Sequence, residues 1–293
     1  MPTFNLRPYQ FQIGDVVFGK HTNYQIEKIE IQSYQVNNQD SQVIRSNEIR
    51  MGIDTEQAGP ITFQISVLLN KPNQNVIDMG GGHLPSDLEL KHDRLLTALQ
   101  KEWKAEEVRQ LWGELKPLLY CDKSGQIRRI YGRPRKFQYT PLNPNSQWRT
   151  VQCEFARIDS KTHMHDEWAV LVPVGGTIVT PYRDETMGDA DAWVRFVITG
   201  PATQPVIQFA EQTIHMDMTL PAGKVLEINT YPWTRRIIDS DGISWRAKAI
   251  GPTPYLDKIK FQANSIKPVS WTASGTTGAS ALVVLWRDAY HVV

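Results

Sequence analysis

The sequence T-H-M-H-D-E, residues 162–167, is the best candidate for metal chemistry in this chain. On a β-strand the side chains of His163 and His165 would point to the same face, and Asp166 or Glu167 could supply a third ligand for zinc. No residues at ligand spacing elsewhere complete such a site, and specific zinc sites use three or four ligands. Histidines in solvent-exposed loops are commoner, so we expect no bound metal and no cofactor.

A cluster of cations is the second candidate site. The basic segment, residues 127–137, reads I-R-R-I-Y-G-R-P-R-K-F and contains Arg128, Arg129, Arg133, Arg135 and Lys136. Such a cluster could bind nucleic-acid phosphates. The chain has 32 Lys and Arg residues against 31 Asp and Glu residues, however, so it lacks the overall basic surface of a nucleic-acid-binding domain. The segment must act locally.

The sequence offers no known arrangement for catalysis. It has no Gly-x-Ser-x-Gly motif and no signature around Cys121 or Cys153, which we expect to be buried thiols. The glycines of residues 80–82 are not followed by Gly-Lys-Ser/Thr, so they do not predict a phosphate-binding loop. We expect a protein that is not an enzyme, although a hydrolase with an unrecognised site stays an alternative. Neither a cleaved signal nor an apolar span is present, which favours synthesis in a cytoplasm and no membrane association.

Short strands separated by turns make up most of the sequence. The clearest strand is 61–69, where apolar residues alternate with mostly polar ones, and residues 28–32 and 151–155 show the same alternation. Two turns, C-D-K-S-G-Q at 121–126 and D-S-D-G at 239–242, each predict two paired strands, because Asp starts a turn and Gly accepts a positive φ. These patterns predict antiparallel sheets with one solvated face.

Only residues 86–115 show a helical period. Leu95, Leu99 and Trp103, then Val108 and Leu111, fall three or four residues apart, which predicts one long helix or two short ones. Between 159 and 191 the apolar pattern weakens, and short strands at the spacing of an all-β sandwich return afterwards. We therefore expect an N-terminal domain at 1–160, a linker at 161–191 and a second domain at 192–293.

The basic segment can be interpreted by strand parity. If it forms one strand, Arg129, Arg133 and Arg135 lie on one face, and Arg128 and Lys136 lie on the other. The proline at position 134 removes a ladder donor, which indicates an edge strand or a strand end. A split set of charges at an edge fits a subunit contact better than a nucleic-acid groove.

Several motifs together resemble the distal tail proteins of long, flexible-tailed bacteriophages (siphovirus type). The resemblance runs in order from about Leu95 to Tyr290. It is strongest in Y-G-R-P-R at 131–135 and in the C-terminal series I-T-G-P at 198–201, L-P-A-G at 220–223 and W-R-D-A-Y at 286–290. The first sixty residues carry little of this resemblance.

The resemblance implies a mainly β protein with a tail-tube-like N-terminal β domain, which includes a helical segment and forms a ring, and a C-terminal galectin-like β-sandwich. It implies a structural protein of the virion that forms a homo-oligomeric ring, usually a hexamer, at the tail tip. The implied partners are other copies of the chain, the tail tube protein, the tail-tip hub or tail-associated protein, and receptor-binding proteins. The ring would join the tube to the host-adhesion machinery.

The five cations of the basic segment are then expected at a subunit interface or at the lumen through which the genome passes. Tight phosphate binding is not expected in the lumen, because many Lys and Arg contacts would hold the DNA. The acidic sequence R-D-E-T-M-G-D-A-D at 183–191 is one candidate partner for them. A carbohydrate-binding module is the alternative function, although the galectin sugar-binding pattern His-x-Asn-x-Arg does not occur.

Overall fold

The computed structural model describes residues 6–37, 40–42, 49–51, 55–68, 85–141, 148–180, 188–250, 256–263 and 267–291. The chain divides into two compact units, Met1–Thr162 and His163–Val293, called here the N-terminal and C-terminal units. In the described ranges, no helix has the length and apolar character needed to cross a membrane.

The N-terminal unit is built mainly from strands, with two helices between the eighth and ninth of them. Its described elements are β1 (Gln10–Ile13), β2 (Val16–Gly19), β3 (Tyr24–Ile31), β4 (Tyr34–Asn37), β5 (Ser41–Gln42), β6 (Ile49–Arg50), β7 (Thr55–Ala58), β8 (Ile61–Leu68), α1 (Pro85–Lys104), α2 (Glu106–Arg109), β9 (Leu118–Cys121), β10 (Ile127–Ile130), β11 (Gly132–Tyr139) and β12 (Trp148–Arg157). An antiparallel sheet has the order β11-β12-β8-β3, and a second series of paired strands has the order β2-β1-β9-β10. Strand β4 pairs with β7, and β5 pairs with β6.

Alternation along β8 and β12 creates the core of this unit, as the sequence predicts. The apolar side chains of β8 at positions 61, 63, 65 and 67 are fully buried, as are those of β12 at 151, 153 and 155. The ring of Phe63 lies 5.2 Å from Phe11, 5.3 Å from Phe18 and 6.1 Å from Trp103, measured between centroids. Burial of these large apolar surfaces stabilises the packing of β1, β2 and α1 on the sheet.

The helical region ends earlier than the expected 86–115. Helix α1 stops at Lys104 because Ala105 adopts the left-handed conformation, with φ 47° and ψ 46°, which a right-handed helix cannot continue. Only the single turn of α2 follows. The apolar residues after it therefore lie in a loop, where Leu111 and Trp112 are exposed.

The basic segment forms two strands and not one. Strand β10 pairs with β9, while β11 lies in the other sheet, and Tyr131 is the residue at which the chain changes sheets. A side chain at Gly132 would place its Cβ 2.1 Å from the Ala156 carbonyl oxygen, so glycine is required at this change. The parity assignment for a single strand therefore does not apply. Strand β11 is an edge of its sheet, as Pro134 predicts.

One predicted hairpin is confirmed and the other is reduced to a turn. Strands β9 and β10 pair across the 121–126 turn, where Gly125 has φ +86° and the Asp122 carboxylate accepts bonds from the Ser124 and Gln126 backbone N–H groups at 2.9 and 3.0 Å. At the second turn Gly242 has φ +79°, but only an isolated bridge joins Ile238 to Ser244.

The C-terminal unit is a β-sandwich. Its described strands are β13 (Thr162–Met164), which starts at the last residue of the other unit, β14 (Trp168–Val172), β15 (Thr177–Thr180), β16 (Ala192–Thr199), β17 (Ala202–Phe209), β18 (Gln212–Met216), β19 (Thr219–Leu220), β20 (Val225–Asn229), β21 (Arg236–Asp239), β22 (Ala249–Ile250), β23 (Lys260–Phe261), β24 (Lys267–Ser274), β25 (Ala281–Trp286) and β26 (Ala289–Tyr290), with short 3-10 helices at Arg246–Lys248 and Leu256–Lys258. Its sheets have the orders β14-β25-β16-β20-β21 and β15-β24-β17-β18-β22. Both contribute to one buried core that includes Phe196, Phe209 and Trp271. The mainly β fold, with a helical segment followed by a β-sandwich, is confirmed.

The described part of the expected linker at 161–191 belongs to the fold of the C-terminal unit. Within it, β14 pairs with β25 and β15 pairs with β24. The unit boundary accordingly lies after Thr162. The weak apolar pattern arises because β14 is an edge strand whose Trp168 and Leu171 are exposed, so alternation into a core is incomplete there.

Candidate assembly interface

The sheet β11-β12-β8-β3 has two long edges. Strand β11 pairs with β12 and strand β3 pairs with β8, and each edge strand is eight residues long. Proteins usually shorten, cover or charge such edges, because an open edge can pair with another chain. On β11 the carbonyl groups of Gly132 and Pro134 already accept bonds from Lys116 and Arg109, so the open part of that edge lies toward Tyr139.

A β-bulge places two cations at the β11 edge. Pro134 lies opposite Phe155 and Phe137 lies opposite Cys153, so Arg135 and Lys136 together oppose one residue of β12. Both side chains are exposed. A bulge of this type adds one residue to one strand, bends that strand and increases its local twist.

The β3 edge carries the opposite charge at the same level of the sheet. A row here means the residues of the four strands that pair with one another across the sheet. The residue of β12 that faces the bulge is Glu154, which pairs with Thr62 of β8, and Thr62 pairs with Glu30 of β3. Glu30 is exposed and lies 2.5 Å from the Lys28 ammonium. One row across the sheet therefore ends in two cations at β11 and in a carboxylate at β3.

The apolar rows of the sheet also reach solvent at both edges. On β3, Ile29 and Ile31 pair with buried residues of β8 but are themselves 37% and 39% exposed. On β11, Tyr139 pairs with buried Val151 and is 49% exposed. Each edge thus presents apolar side chains that the chain's own sheet does not fully cover.

A loop carrying an exposed tryptophan is attached to β11. The Trp112 loop, defined here as residues 110–114, accepts bonds from Arg133 at its Leu111 carbonyl, 2.7 Å from Nη2, and at its Glu114 carbonyl. Immediately before the loop, Arg109 Nη2 lies 3.5 Å from the carbonyl oxygen of Pro134. The loop is therefore fixed to the edge strand by side chains from both sides.

Lys116, just after this loop, is held by two carboxylates. Its ammonium lies 2.7 Å from Glu102 Oε2 and 2.6 Å from Glu107 Oε1, and its backbone N–H donates to the Gly132 carbonyl at 2.9 Å. Burial acts to lower the pKa of Lys116, but the hydrogen bonds to Glu102 and Glu107 outweigh it, so the pKa is raised. The hydrogen bond from Lys116 lowers the pKa of Glu107.

The five sequence-predicted cations do not form one surface. Arg128 Nε donates to Asp122 Oδ2 at 3.1 Å inside the β9–β10 turn, and the Arg129 guanidinium lies 5.8 Å from the Tyr131 ring centroid. Arg133 holds the Trp112 loop. Arg135 and Lys136 are the members that are exposed at the bulge.

Sequence reasoning missed the other half of this surface. Glu30, Ile29 and Ile31 alternate like a buried strand, and nothing in that alternation shows that β3 lies at an edge. The expected helical region 86–115 includes Trp112, and only the left-handed Ala105 reveals that Trp112 does not lie on a helix.

The acidic sequence 183–191, the candidate partner of the basic segment, is described in part. Its residues 183–187 lie outside the described residues. In the remainder, Asp189 Oδ1 accepts a bond from the His291 N–H at 2.8 Å, and Asp191 lies 2.6 Å from the Lys260 ammonium. These described carboxylates already have partners within the C-terminal unit.

The candidate metal ligands have separate structural contacts. His163 is buried, with its ring 6.0 Å from that of Trp233, and the Glu167 carboxylate accepts a bond from Arg195 at 2.6 Å. Over the described ranges, no three His, Cys, Asp or Glu side chains are grouped so that they could hold a metal ion.

Comparison with solved structures identifies the fold. The Dit protein (gp 19.1) of phage SPP1, described as a paradigm of the hub adsorption apparatus of phages that infect Gram-positive bacteria, matches with a TM-score of 0.58 and 11% identity over 91% of this chain and 93% of that one. The activated baseplate of phage P2 with calcium contains a chain that matches with a TM-score of 0.54 and 10% identity over 97% of this chain and 99% of that one. Its form with strontium gives a TM-score of 0.52 at 10% identity, with the same coverage.

Neither protein-family models nor curated protein sequences give a match. The likeness to the solved structures nevertheless spans both units of the chain, because each match covers more than nine-tenths of this chain and of the matched chain. At these sequence identities it establishes the architecture. The chain has the fold of the phage distal tail proteins, as the motifs of its sequence indicate.

Proposed function

We propose that this chain is a distal tail protein, a structural and non-enzymatic component of the phage tail tip. In this role its copies form a ring, by the family resemblance a hexamer, that joins the tail tube to the tip hub and the host-adhesion machinery. The fold likeness over more than nine-tenths of the chain supports the assignment. The protein is accordingly a virion component, and the genome passes through the ring without specific binding.

The charge pattern of the two sheet edges carries the proposal of a ring. Closed rings use heterologous contacts, in which one surface of a subunit meets a different surface of the next. Placing β11 of one copy antiparallel to β3 of the next continues the rows of the sheet. Arg135 and Lys136 of one copy then face Glu30 of its neighbour, and Phe137 faces Ile29, as the rows of the single sheet indicate.

A charge-swap experiment tests this contact. We expect Arg135→Glu combined with Lys136→Glu to weaken assembly strongly, because like charges in a protein contact cost several kcal/mol. Glu30→Lys should weaken it as well, and the triple variant should recover oligomers, because attraction is restored with the signs exchanged. Arg133 is left unchanged, since it holds the Trp112 loop.

Sedimentation velocity over a range of protein concentrations measures the outcome. The control is Lys123→Glu, which reverses an exposed cation in the β9–β10 turn, away from both edges. If the wild-type protein is monomeric at every concentration, the ring proposal fails. If it forms oligomers that the reversals do not alter, the ring stands but the edge contact is wrong.

A further inference from the structure

Among the described residues of the N-terminal unit, Trp112 is the most exposed large apolar side chain. Its relative exposure is 102%, and the neighbouring Leu111 is 53% exposed. Exposed apolar side chains are common singly, but a fully exposed tryptophan beside a leucine offers a large surface whose burial by a partner would be favourable. The pair is therefore a candidate anchor for a protein contact.

The loop that presents Trp112 is held in place. Arg133 binds carbonyl groups at both of its ends, and Arg109 connects the preceding turn to β11. Lys116 fixes the following residues through its backbone bond to Gly132. Anchoring residues contribute most when the unbound protein already holds them in position, because less conformational entropy is lost on binding.

We propose that Trp112 is the anchor of the contact between copies of this chain, and that it packs on Tyr34 and Val36 of the next copy. The inference rests on the proposed ring and adds to it the residues of its apolar contact. Tyr34 and Val36 are 57% and 45% exposed, and as alternate residues of β4 they lie on one face of that strand.

The register of the sheet brings these surfaces together. In the row that contains Pro134 of β11, the β3 residue is Ile31. A neighbouring β3 that continues this row runs antiparallel to β11. The outward carbonyl groups of Pro134 and Gly132 are already bonded to Arg109 and Lys116 of the same chain, so the residues after the neighbour's Ile31 would meet the Trp112 loop and not the strand. That end of β11 is where the Trp112 loop and Lys116 are attached, and Tyr34 follows Ile31 by three residues.

The receiving surface is also held firmly within the subunit. Arg157 is buried, and its guanidinium donates to the carbonyl groups of Gly59 at 2.7 Å and Ser33 at 2.8 Å. These bonds fix the connection between β3 and β4. A second copy is the occupant favoured here, because the Trp112 loop is attached to the β11 edge, Tyr34 follows the β3 edge in the chain, and these two edges carry opposite charges.

The first test is Trp112→Ala, compared with Trp112→Phe and with Trp148→Ala, a matched control at a tryptophan that is 50% exposed in the same unit. Removing an anchoring tryptophan should raise the dissociation constant of the oligomer about 30-fold, which corresponds to about 2 kcal/mol. We expect Trp112→Phe to retain most of the affinity and Trp148→Ala to leave it unchanged. Circular dichroism confirms that each variant is folded.

The second test is a disulfide that can form only between two copies. One preparation carries Trp112→Cys and another carries Tyr34→Cys, and the native Cys121 and Cys153 are buried, so their background reaction is low. Mild oxidation of the mixture should give a covalent dimer that contains one chain of each kind. When each preparation is oxidised alone, it should give much less covalent dimer than the mixture gives.

The outcomes separate this inference from the proposed function. Wild-type oligomers that withstand Trp112→Ala unchanged and give no mixed disulfide overturn the Trp112 contact and leave the ring in place. Protection of Trp112 from solvent only when a different tail protein is added also overturns it. A wild-type chain that never oligomerises removes both.

Discussion

Replacing Lys116 by methionine should destabilise the N-terminal unit. The Lys116 and Glu102 side chains are 10% and 11% exposed, and their charged atoms lie 2.7 Å apart. Without the ammonium, Glu102 becomes a buried carboxylate with no counter-charge, a change that costs about 3–5 kcal/mol. Glu107 is 58% exposed, so its pair with Lys116 contributes less than about 1 kcal/mol.

Urea and thermal unfolding measure this effect. For a unit of this size each kcal/mol lowers the Tm by about 2–4 °C, so the cost of about 3–5 kcal/mol corresponds to a decrease of about 6–20 °C for Lys116→Met. Glu107→Gln is the control and should change the Tm by less than about 4 °C. Adding Glu102→Leu to Lys116→Met should recover much of the loss, because both members of the buried pair are then apolar.

The pH dependence gives an independent check. Because the folded-state pKa of Lys116 is raised, its stabilising effect is fully present below its ordinary pKa of 10.5 and is lost as the pH rises through the folded value. The wild-type protein should therefore lose stability at strongly alkaline pH more steeply than Lys116→Met. The reasoning is refuted if Lys116→Met unfolds within about 1 kcal/mol of the wild type at neutral pH.

Three further predictions concern local features of the N-terminal unit. Burial acts to raise the pKa of Asp122, but hydrogen bonds from Ser124 and Gln126 and the charge of Arg128 outweigh it, so the pKa is lowered. The stability that Asp122 contributes is therefore present above pH 3.8 and is lost as the pH falls through the folded value. Asp122→Ala should cost about 1–3 kcal/mol at pH 7 in urea unfolding and should make stability less dependent on pH under acid conditions. Burial raises the pKa of the thiols of Cys121 and Cys153, so a thiol reagent at pH 8 should react with them only after denaturation; rapid native labelling would contradict their burial. Gly132→Ala should reduce stability by more than about 2 kcal/mol, because its Cβ would meet a backbone carbonyl at 2.1 Å; unchanged unfolding would show that the strands can move apart.

The sequence was most informative where one pattern determines one structure. Alternation in β8 and β12 identified residues that are fully buried, such as Phe63 and Cys153, because both strands lie in the middle of their sheet. Asp122 and Gly125 identified the β9–β10 turn, since their side-chain bonds and positive φ act locally. Local chemistry of this kind does not depend on the rest of the fold.

Features that depend on the arrangement of strands could not be predicted in the same way. Ile29 alternates like Phe63, but among the described strands its own strand has a neighbour on only one side, so it is partly exposed. Trp112 lies three or four residues from other apolar residues, and a single left-handed residue removes it from any helix. The bulge at Arg135 and Lys136 appears only when the register of β11 and β12 is known.

That bulge also determines which contacts the β11 edge avoids. If β11 of one copy met β11 of another around a two-fold axis, four cations would converge at the centre of the contact, and their repulsion would oppose the pairing. A symmetric dimer would moreover leave the β3 edge of each copy without its β11 partner. In the proposed ring, the extra residue in β11 would therefore distinguish the two edges of each subunit before they meet.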